Sequence, residues 1–383
     1  MSDALLKVGD DGAAALNELS IVAPVPSHLT PEPAIGSEAY TRERELALAA
    51  SDEKRKNYER YLATARGDVI DYLPIKLDVE NVSRCNFRCT MCVVSDWDKG
   101  KRADDLSLEA FKALIDEQYG LVEIKLQGIG EPTMQGDDFF AMIRYARERH
   151  IWVRTTTNAS LLHLKDNWRK LIDADPNEVQ ISIDGADAET FQSIRRGSVF
   201  KQVIENCSMI NDYCHEKGVH PTKMWTVVQR ENVDQCERLV DLAADLGFRS
   251  HVFAFYLSDW GLESWRDRND GVAARQGMTI ERMQALADQG AERGVKVRYW
   301  DTQQKYSTAS PDSLCPWPFE RSYYSSDQRV SPCCLVGNPD VYEIGDGGSM
   351  TDVWTSDDYA EFRRAHLEGR VPRICQSCYT GLE

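Results

Sequence analysis

The chain is expected to fold as an α/β protein, a partial (β/α)6 TIM-like barrel followed by a small cysteine-rich C-terminal domain. Three observations carry that expectation. Six strand-like stretches recur between residues 74 and 257, helical patterns lie between most of them, and five of the eleven cysteines fall after residue 314. Strands alternating with helices imply βαβ units and a parallel sheet.

Taken in order, residues 1–40 contain "APVPSHLTPEPAIG", rich in proline and poor in aromatics. That composition suits a flexible tail, assigned to 1–45, or an arm laid over the core. The segment "TRERELALAASDEKRKNYERYLATARG" reads as charged helix, assigned to 46–73. The barrel is assigned to 74–305, its strands being "PIKLDVENV" (74–82), "VEIKLQG" (122–128), "IWVRTTTN" (151–158), "EVQISIDG" (178–185), "KMWTVVQ" (223–229) and "HVFAFYL" (251–257). Between the first two, Leu108, Phe111, Leu114 and Ile115 share one helical face, with Ser107 as cap and Gly120 as stop. Six such units also suit an open doubly wound sheet, whose buried parallel strands read as continuous apolar runs. Here Ile75, Leu77 and Val79 alternate with Lys76, Asp78 and Glu80, and the second and fourth strands repeat the pattern. One face is apolar and meets helices. The other is polar, as in a curved sheet whose concave side holds a ligand. Residues 306–383 have short strand patterns, turn residues and too few apolar side chains for a strong core, so a metal is expected to hold them.

Composition narrows the function. The net charge is −17, from 62 acidic and 45 basic residues, and no run of Lys and Arg offsets it. Such a surface repels phosphate backbones, so no nucleic-acid partner is expected. No apolar stretch reaches the roughly 18 residues of a membrane span, and the N-terminus carries acids where a signal peptide carries positive charge. Eleven cysteines in such a chain point to metal or catalysis in a reducing cytoplasm.

Cys85, Cys89 and Cys92, in "SRCNFRCTMC", follow the first strand, where α/β sheets bind ligands. Soft thiolates select zinc or iron–sulfur clusters. Three ligands to a four-iron cluster leave one iron open; a zinc site completed by a distant residue is the alternative. The spacing CxxxCxxC resembles the signature of radical S-adenosylmethionine (radical SAM) enzymes. The resemblance implies a [4Fe–4S] cluster whose open iron is chelated by S-adenosylmethionine. Reduction of that cofactor, by a donor such as flavodoxin or ferredoxin, then yields a 5′-deoxyadenosyl radical that abstracts hydrogen from substrate. Met91 stands where the family often has an aromatic residue, and would lie against the adenine.

The same resemblance extends strand by strand. "GIGEP" (128–132) is similar to the family's GGEP, with Ile129 replacing one glycine. It implies close backbone approach to the cofactor at Gly128 and Gly130, and an ammonium contact for Glu131. By analogy Asn158 stands near the cofactor, Ser182 at its ribose, and Arg195 or Arg196 at its carboxylate. Cys315, Cys333, Cys334, Cys375 and Cys378 resemble the SPASM/twitch extension. In the shorter, twitch form Cys315, Cys333, Cys375 and Cys378 ligate one auxiliary [4Fe–4S] cluster, and structural zinc is the alternative. Cys334 is then spare, a packed thiol, a ligand or a hydrogen donor. Cys207, Cys214 and Cys236 fall on apolar helical stripes and are expected in the core. The loop "YLSDWGLESWRDRND" gathers Tyr256, Asp259, Trp260, Trp265, Arg266 and Asp267 at the mouth, as a substrate grip or a solvated surface.

A radical SAM enzyme with a fully cysteine-ligated second cluster is thus expected, that cluster accepting an electron. Glu80 and Asp184, with Lys125 and Gln180, would line a polar lumen as candidate catalytic or binding groups. The leading expectation is oxidation or epimerisation of a polar small molecule, sugar- or aminoglycoside-like. The alternatives are a maturase that crosslinks or epimerises a ribosomal precursor peptide, and a non-catalytic iron–sulfur electron carrier.

Overall fold

The computed structural model describes residues 24–301 and 305–381. The first part of the expected tail, residues 1–23, lies outside the described residues. Two serine-capped helices open the described chain, α1 (Glu38–Ala50) and α2 (Asp52–Ala63). There follow β1 (Lys76–Val79), β2 (Arg88–Cys89), α3 (Leu108–Glu117), β3 (Glu123–Leu126), α4 (Asp137–Arg147) and β4 (Trp152–Thr157). Next come α5 (Asn167–Asp173), β5 (Glu178–Ser182), α6 (Ala188–Ile194), β6 (Arg195–Arg196), α7 (Phe200–Lys217) and β7 (Thr222–Val227). Then α8 (Cys236–Asp245), β8 (Ser250–Ala254), α9 (Glu263–Asp270), α10 (Ile280–Glu292) and β9 (Lys296–Trp300) complete the repeating part. The chain finishes with α11 (Trp317–Glu320), β10 (Arg321–Tyr324), β11 (Arg329–Ser331), β12 (Gly345–Asp346), α12 (Met350–Trp354) and α13 (Asp357–Leu367).

All six expected strands form. α3 starts as the sequence predicts, with the Ser107 side chain accepting from the Ala110 amide and Phe111, Leu114 and Ile115 buried. It ends at Glu117 rather than at Gly120, which lies instead against the Asn57 side chain.

One sheet runs β12-β11-β10-β1-β3-β4-β5-β7-β8-β9, with β12 and β9 at its two edges. The ladder is parallel from β10 through β9, and β11 and β12 extend it antiparallel. Two parallel strands therefore exceed the six expected. β9 adds one edge; β10, from the cysteine-rich region, docks on β1 with Tyr323 opposite Asp78. Neither was assigned to the barrel sheet from the sequence, because "KVRYW" and "RSYY" are short and their partners lie far away in the chain.

Leu77, Val79, Ile124, Leu126, Val153, Val179 and Ile181 are wholly buried against Phe111, Phe139, Phe140 and Phe191. Each such side chain contributes about 1.5–3 kcal/mol relative to exposure. The opposite face carries the charges. Lys76 pairs with Glu320, Arg321 with Asp78 and Glu123, Arg154 with Glu123 and Glu178, and Lys223 with Glu178.

The N-terminal segment closes one end of this face. The Tyr40 hydroxyl donates to Glu123 at 3.1 Å and its ring lies 5.2 Å from that of Trp152. Residues 24–45 are thus an arm and a helix rather than flexible tail: Leu29 is buried, His28 bonds Gln284, and Glu32 pairs with Lys296. Among the described residues no helix is long and apolar enough to cross a membrane.

Candidate active site

The loop after β1 carries Cys85, Cys89 and Cys92. Phe87, 2% exposed, anchors it, and β2 pairs antiparallel with β6 so that Cys89 faces Arg195. Arg88 Nη1 donates to the carbonyls of Cys85 and Phe87, at 2.7 and 2.8 Å. Its guanidinium fills the space a side chain at Gly100 would need, and Gly100 has φ +66°. The sequence reading missed Arg88, which braces the loop from within.

None of the eleven cysteines is in a disulfide. The three thiols lie close enough to act on one another, and burial pushes the Cys92 thiol up to about 12 and Cys85 higher. Arg195 opposes burial at Cys89, with Nη1 4.0 Å from its sulfur. Asp184, fully buried, holds Arg195 at 2.7 Å and accepts the Val227 amide at 2.8 Å. Arg196 is exposed and bonds the Arg88 carbonyl. Of the two arginines, Arg195 is the one whose guanidinium reaches a cysteine sulfur.

The GIGEP turn packs on the same loop. A side chain at Gly130 would strike the backbone of Val82 and Arg84, and one at Gly128 would strike Glu80. Here both glycines allow chain-to-chain approach. Glu131 is buried, and its carboxylate takes the Thr133 hydroxyl (2.5 Å), the Thr157 hydroxyl (2.7 Å) and the Asn158 amide (2.7 Å). It ties the turn to the end of β4. Asn158 Nδ2 reaches Asn86 at 3.0 Å and the Cys85 sulfur at 4.0 Å. Ser182 is half-buried beside Trp225, and half-buried Met91 accepts at its carbonyl from Trp260 Nε1, at 3.4 Å.

Glu80 and Asp184, expected as lumen acids or bases, are committed to internal partners. Glu80 takes Arg102 (2.8 Å) and the amides of Ile129 and Ser326 (both 3.1 Å), with no exposure. Three donors on a wholly buried carboxylate make it a pin between β1, the GIGEP turn and the β10–β11 turn. Asp184 positions Arg195.

The second cysteine group is drawn from the segment before α11, the turn after β11 and the C-terminal turn Arg373–Cys378. Cys333 lies within electrostatic reach of Cys375 and Cys315, and Cys315 of Cys378. Leu314, Phe319, Val371 and Tyr379 form a small apolar cluster around these thiols, and the Tyr379 hydroxyl accepts the Cys315 amide at 2.9 Å. Cys334 points elsewhere: the charged groups acting on its thiol are Asp78, Lys125 and Arg321 of the polar face. Gly337 rests on Ile129 of the GIGEP turn, and Ser258 bonds the Leu335 carbonyl at 3.2 Å. The two groups are therefore joined through the mouth loop. Within that loop Asp259 pairs with Arg266 and Trp265 is buried, so part of it is scaffold. A cleft of about 480 Å³ lined by Arg66, Lys305, Tyr306 and Leu314 flanks Cys315, away from the polar face. Cys207, Cys214 and Cys236 are core residues, as expected.

Residues 81–253 match the Radical SAM superfamily and residues 315–379 match SPASM, an iron–sulfur cluster-binding domain. The chain belongs to the radical SAM superfamily and carries a C-terminal SPASM domain. Together these imply two [4Fe–4S] clusters and S-adenosylmethionine. Among particular relatives, it is 30% identical over 322 residues to the mycofactocin maturase MftC of Mycolicibacterium smegmatis, across 80% of this chain and 75% of that one. Against MftC of Mycobacterium tuberculosis the identity is 31% over 199 residues, 51% of this chain and 48% of the relative. In fold it is similar to the crystal structure of Streptococcus suis SuiB bound to precursor peptide SuiA. That likeness has a TM-score of 0.59 and 16% identity, covering 85% of this chain and 75% of the other.

The donor sets fit such clusters. Each group is built of soft thiols, the first flanked by the Arg195 guanidinium that balances thiolate charge.

Proposed function

We propose that this chain is a peptide-modifying maturase, acting on a precursor peptide by radical SAM chemistry. The observation that carries the reading is the 30% identity to a mycofactocin maturase over 80% of this chain. The SuiB fold, crystallised with a precursor peptide, agrees with it. This displaces the sugar-like small molecule as the leading substrate, and the presence of a SAM domain argues against a simple electron carrier.

Cys85, Cys89 and Cys92 would hold the first cluster, and Cys315, Cys333, Cys375 and Cys378 the second. When bound, the first cluster and S-adenosylmethionine supply a hydrogen-abstracting radical, and the second offers a route for electrons. The chain's own part is positioning. Asp184 fixes Arg195 beside Cys89, Asn158 and Arg88 fix the Cys85 end of the loop, and Glu131 fixes the turn beside it. The subtype, crosslinking, oxidation or epimerisation, is read as one of those three, with Cys334 the candidate hydrogen donor for the last. A small acidic protein such as flavodoxin or ferredoxin would deliver the electron.

Anaerobic reconstitution tests this directly. About eight irons per chain are expected for two four-iron clusters. With S-adenosylmethionine and reductant, 5′-deoxyadenosine should form, and a short peptide encoded beside the gene should change mass. A Cys89→Ala variant should do neither. Oxidation of a sugar-like compound with no peptide modified would overturn the maturase reading and leave the cofactor assignment standing.

A further inference from the structure

The polar face changes character across the sheet. From β1 to β5 it carries charge, as in the pairs of Arg321 and Arg154. From β7 onwards the strand register puts Trp225, Val227, Val252, Ala254 and Trp300 on that same face. The cations there are engaged nearer the strand starts: Lys223 with Glu178, Lys296 with Glu32, and Arg298 with the Val297 carbonyl at 2.7 Å. Trp225 and Trp300 belong to strands two apart, whose backbones are separated by about 9.6 Å. Their ring centroids are nevertheless only 6.4 Å apart, at 52°, so the indoles lean together. Ala254, on the strand between them and opposite Trp300, is small enough to leave that space.

Neither ring is packed away. Trp300 is 37% exposed and Trp225 half-buried, and among the described residues neither indole N–H has an acceptor. The same chain buries Trp265 and Trp354 almost completely. Trp225 stands beside Ser182, the residue expected at the ribose of the cofactor. The Lys305 ammonium lies 4.0 Å from the Trp300 ring centroid, and the Lys305 amide donates to the Cys378 carbonyl at 3.0 Å. The indole pair thus links β5 to the second cysteine group, the ground a substrate between the two clusters would occupy. Tilted rings 4.5–7 Å apart are the arrangement aromatic groups prefer, and a third ring can meet one indole by its edge and the other by its face. Val227, Val252 and Ala254 offer no side-chain partner for the hydroxyls of a sugar. A peptide fits better, with its side chain on this apolar strip and its backbone amides beside Gln180 and Ser182 of β5.

We propose that Trp225 and Trp300 form a subsite for an aromatic side chain of the peptide substrate. The inference rests on the maturase reading and adds the residue type that the site grips. The adenine of S-adenosylmethionine is the competing source of a planar ring, and the experiment separates the two.

The probes are an acetylated, amidated alanine pentapeptide with phenylalanine at its centre, and the same peptide with leucine or alanine there. Each is titrated calorimetrically into the reconstituted protein, with S-adenosylmethionine titrated separately. The phenylalanine peptide should bind about tenfold or more tightly than the alanine peptide, and several-fold more tightly than the leucine peptide. Trp225→Ala and Trp300→Ala should each cut the preference for phenylalanine over alanine by about threefold or more, and Trp300→Phe should keep it. S-adenosylmethionine should bind the native protein and Trp300→Ala alike. Iron content and the thermal midpoint report whether each variant has folded. Equal binding of the phenylalanine and alanine peptides by the native protein, including no measurable binding of either, overturns the inference. So does a leucine peptide as tight as the phenylalanine one, or a preference that survives both alanine substitutions. A Trp300→Ala variant that loses affinity for S-adenosylmethionine overturns it too, by assigning the rings to the adenine. Peptide modification that persists with these results would leave the maturase reading intact.

Discussion

Arg195 and Asp184 form a buried ion pair beside Cys89, with exposures of 7% and 0%. Removing one partner strands the other charge, which costs about 3–5 kcal/mol, whereas removing both does not. Asp184→Ala should therefore lose about that much stability in urea unfolding, and Asp184→Ala with Arg195→Met should recover most of it. An unchanged midpoint in the single variant would falsify the positioning role. His251 makes a pH-dependent case. It is wholly buried, its Nε2 is 2.9 Å from the Thr226 hydroxyl, and burial lowers its pKa to about 3. The unfolded chain binds a proton below about 6.5 that the folded chain does not, so stability falls as pH drops from about 6.5 towards 3, by about 1.4 kcal/mol per unit. His251→Phe should flatten the dependence between pH 7 and 5 by up to that slope, read from unfolding midpoints across the range. An identical slope in the variant would mean that other groups control it.

At the scale of elements, the C-terminal region is fastened by helix ends. Glu117, the last residue of α3, accepts from the Ser349 hydroxyl (2.8 Å) and from the Thr351 amide (2.9 Å) at the start of α12. A carboxylate there satisfies amides left open at a helix N-terminus and meets its positive end. Glu117→Ala should cost about 1–3 kcal/mol. Hydrogen exchange should quicken over residues 349–354 and stay unchanged in the first turns of α3; uniform quickening would show a global effect instead. Elements also mark how far the sequence could be read. The six strands were legible, three of them because a two-residue period exposes which face is apolar. β9 and β10 were not, since a five- or four-residue strand is defined by its neighbour more than by its own pattern. The C-terminal stop of α3 was misplaced because Gly120 serves a contact with Asn57, which lies outside local sequence.

Across the whole molecule, β10 makes the cysteine-rich region part of the central sheet. It covers the edge of β1, where the Glu80 amide donates to the Tyr324 carbonyl at 2.8 Å and the Ile75 amide to Glu320 at 3.1 Å. A chain ending at residue 305 would expose that edge, with Leu77 and Val79 in it, as a template for association. Such a fragment should aggregate, while the full chain elutes as a discrete species in size exclusion with light scattering. A soluble, folded fragment would mean that the barrel stands without β10.

The sequence by itself determined the α/β class, the cysteine triad and its spacing, and the existence of a second thiol set. Those features are local: a period along one strand, or three cysteines within eight positions. Only the tertiary structure decided what the polar residues do. Glu80 and Asp184 read alike as lumen acids and Glu131 as a cofactor contact, yet each is held by partners from other segments of the chain, whereas among the described residues Lys125 has no ion pair. Whether a charge is spent or available depends on which distant side chain folding brings within a few ångströms.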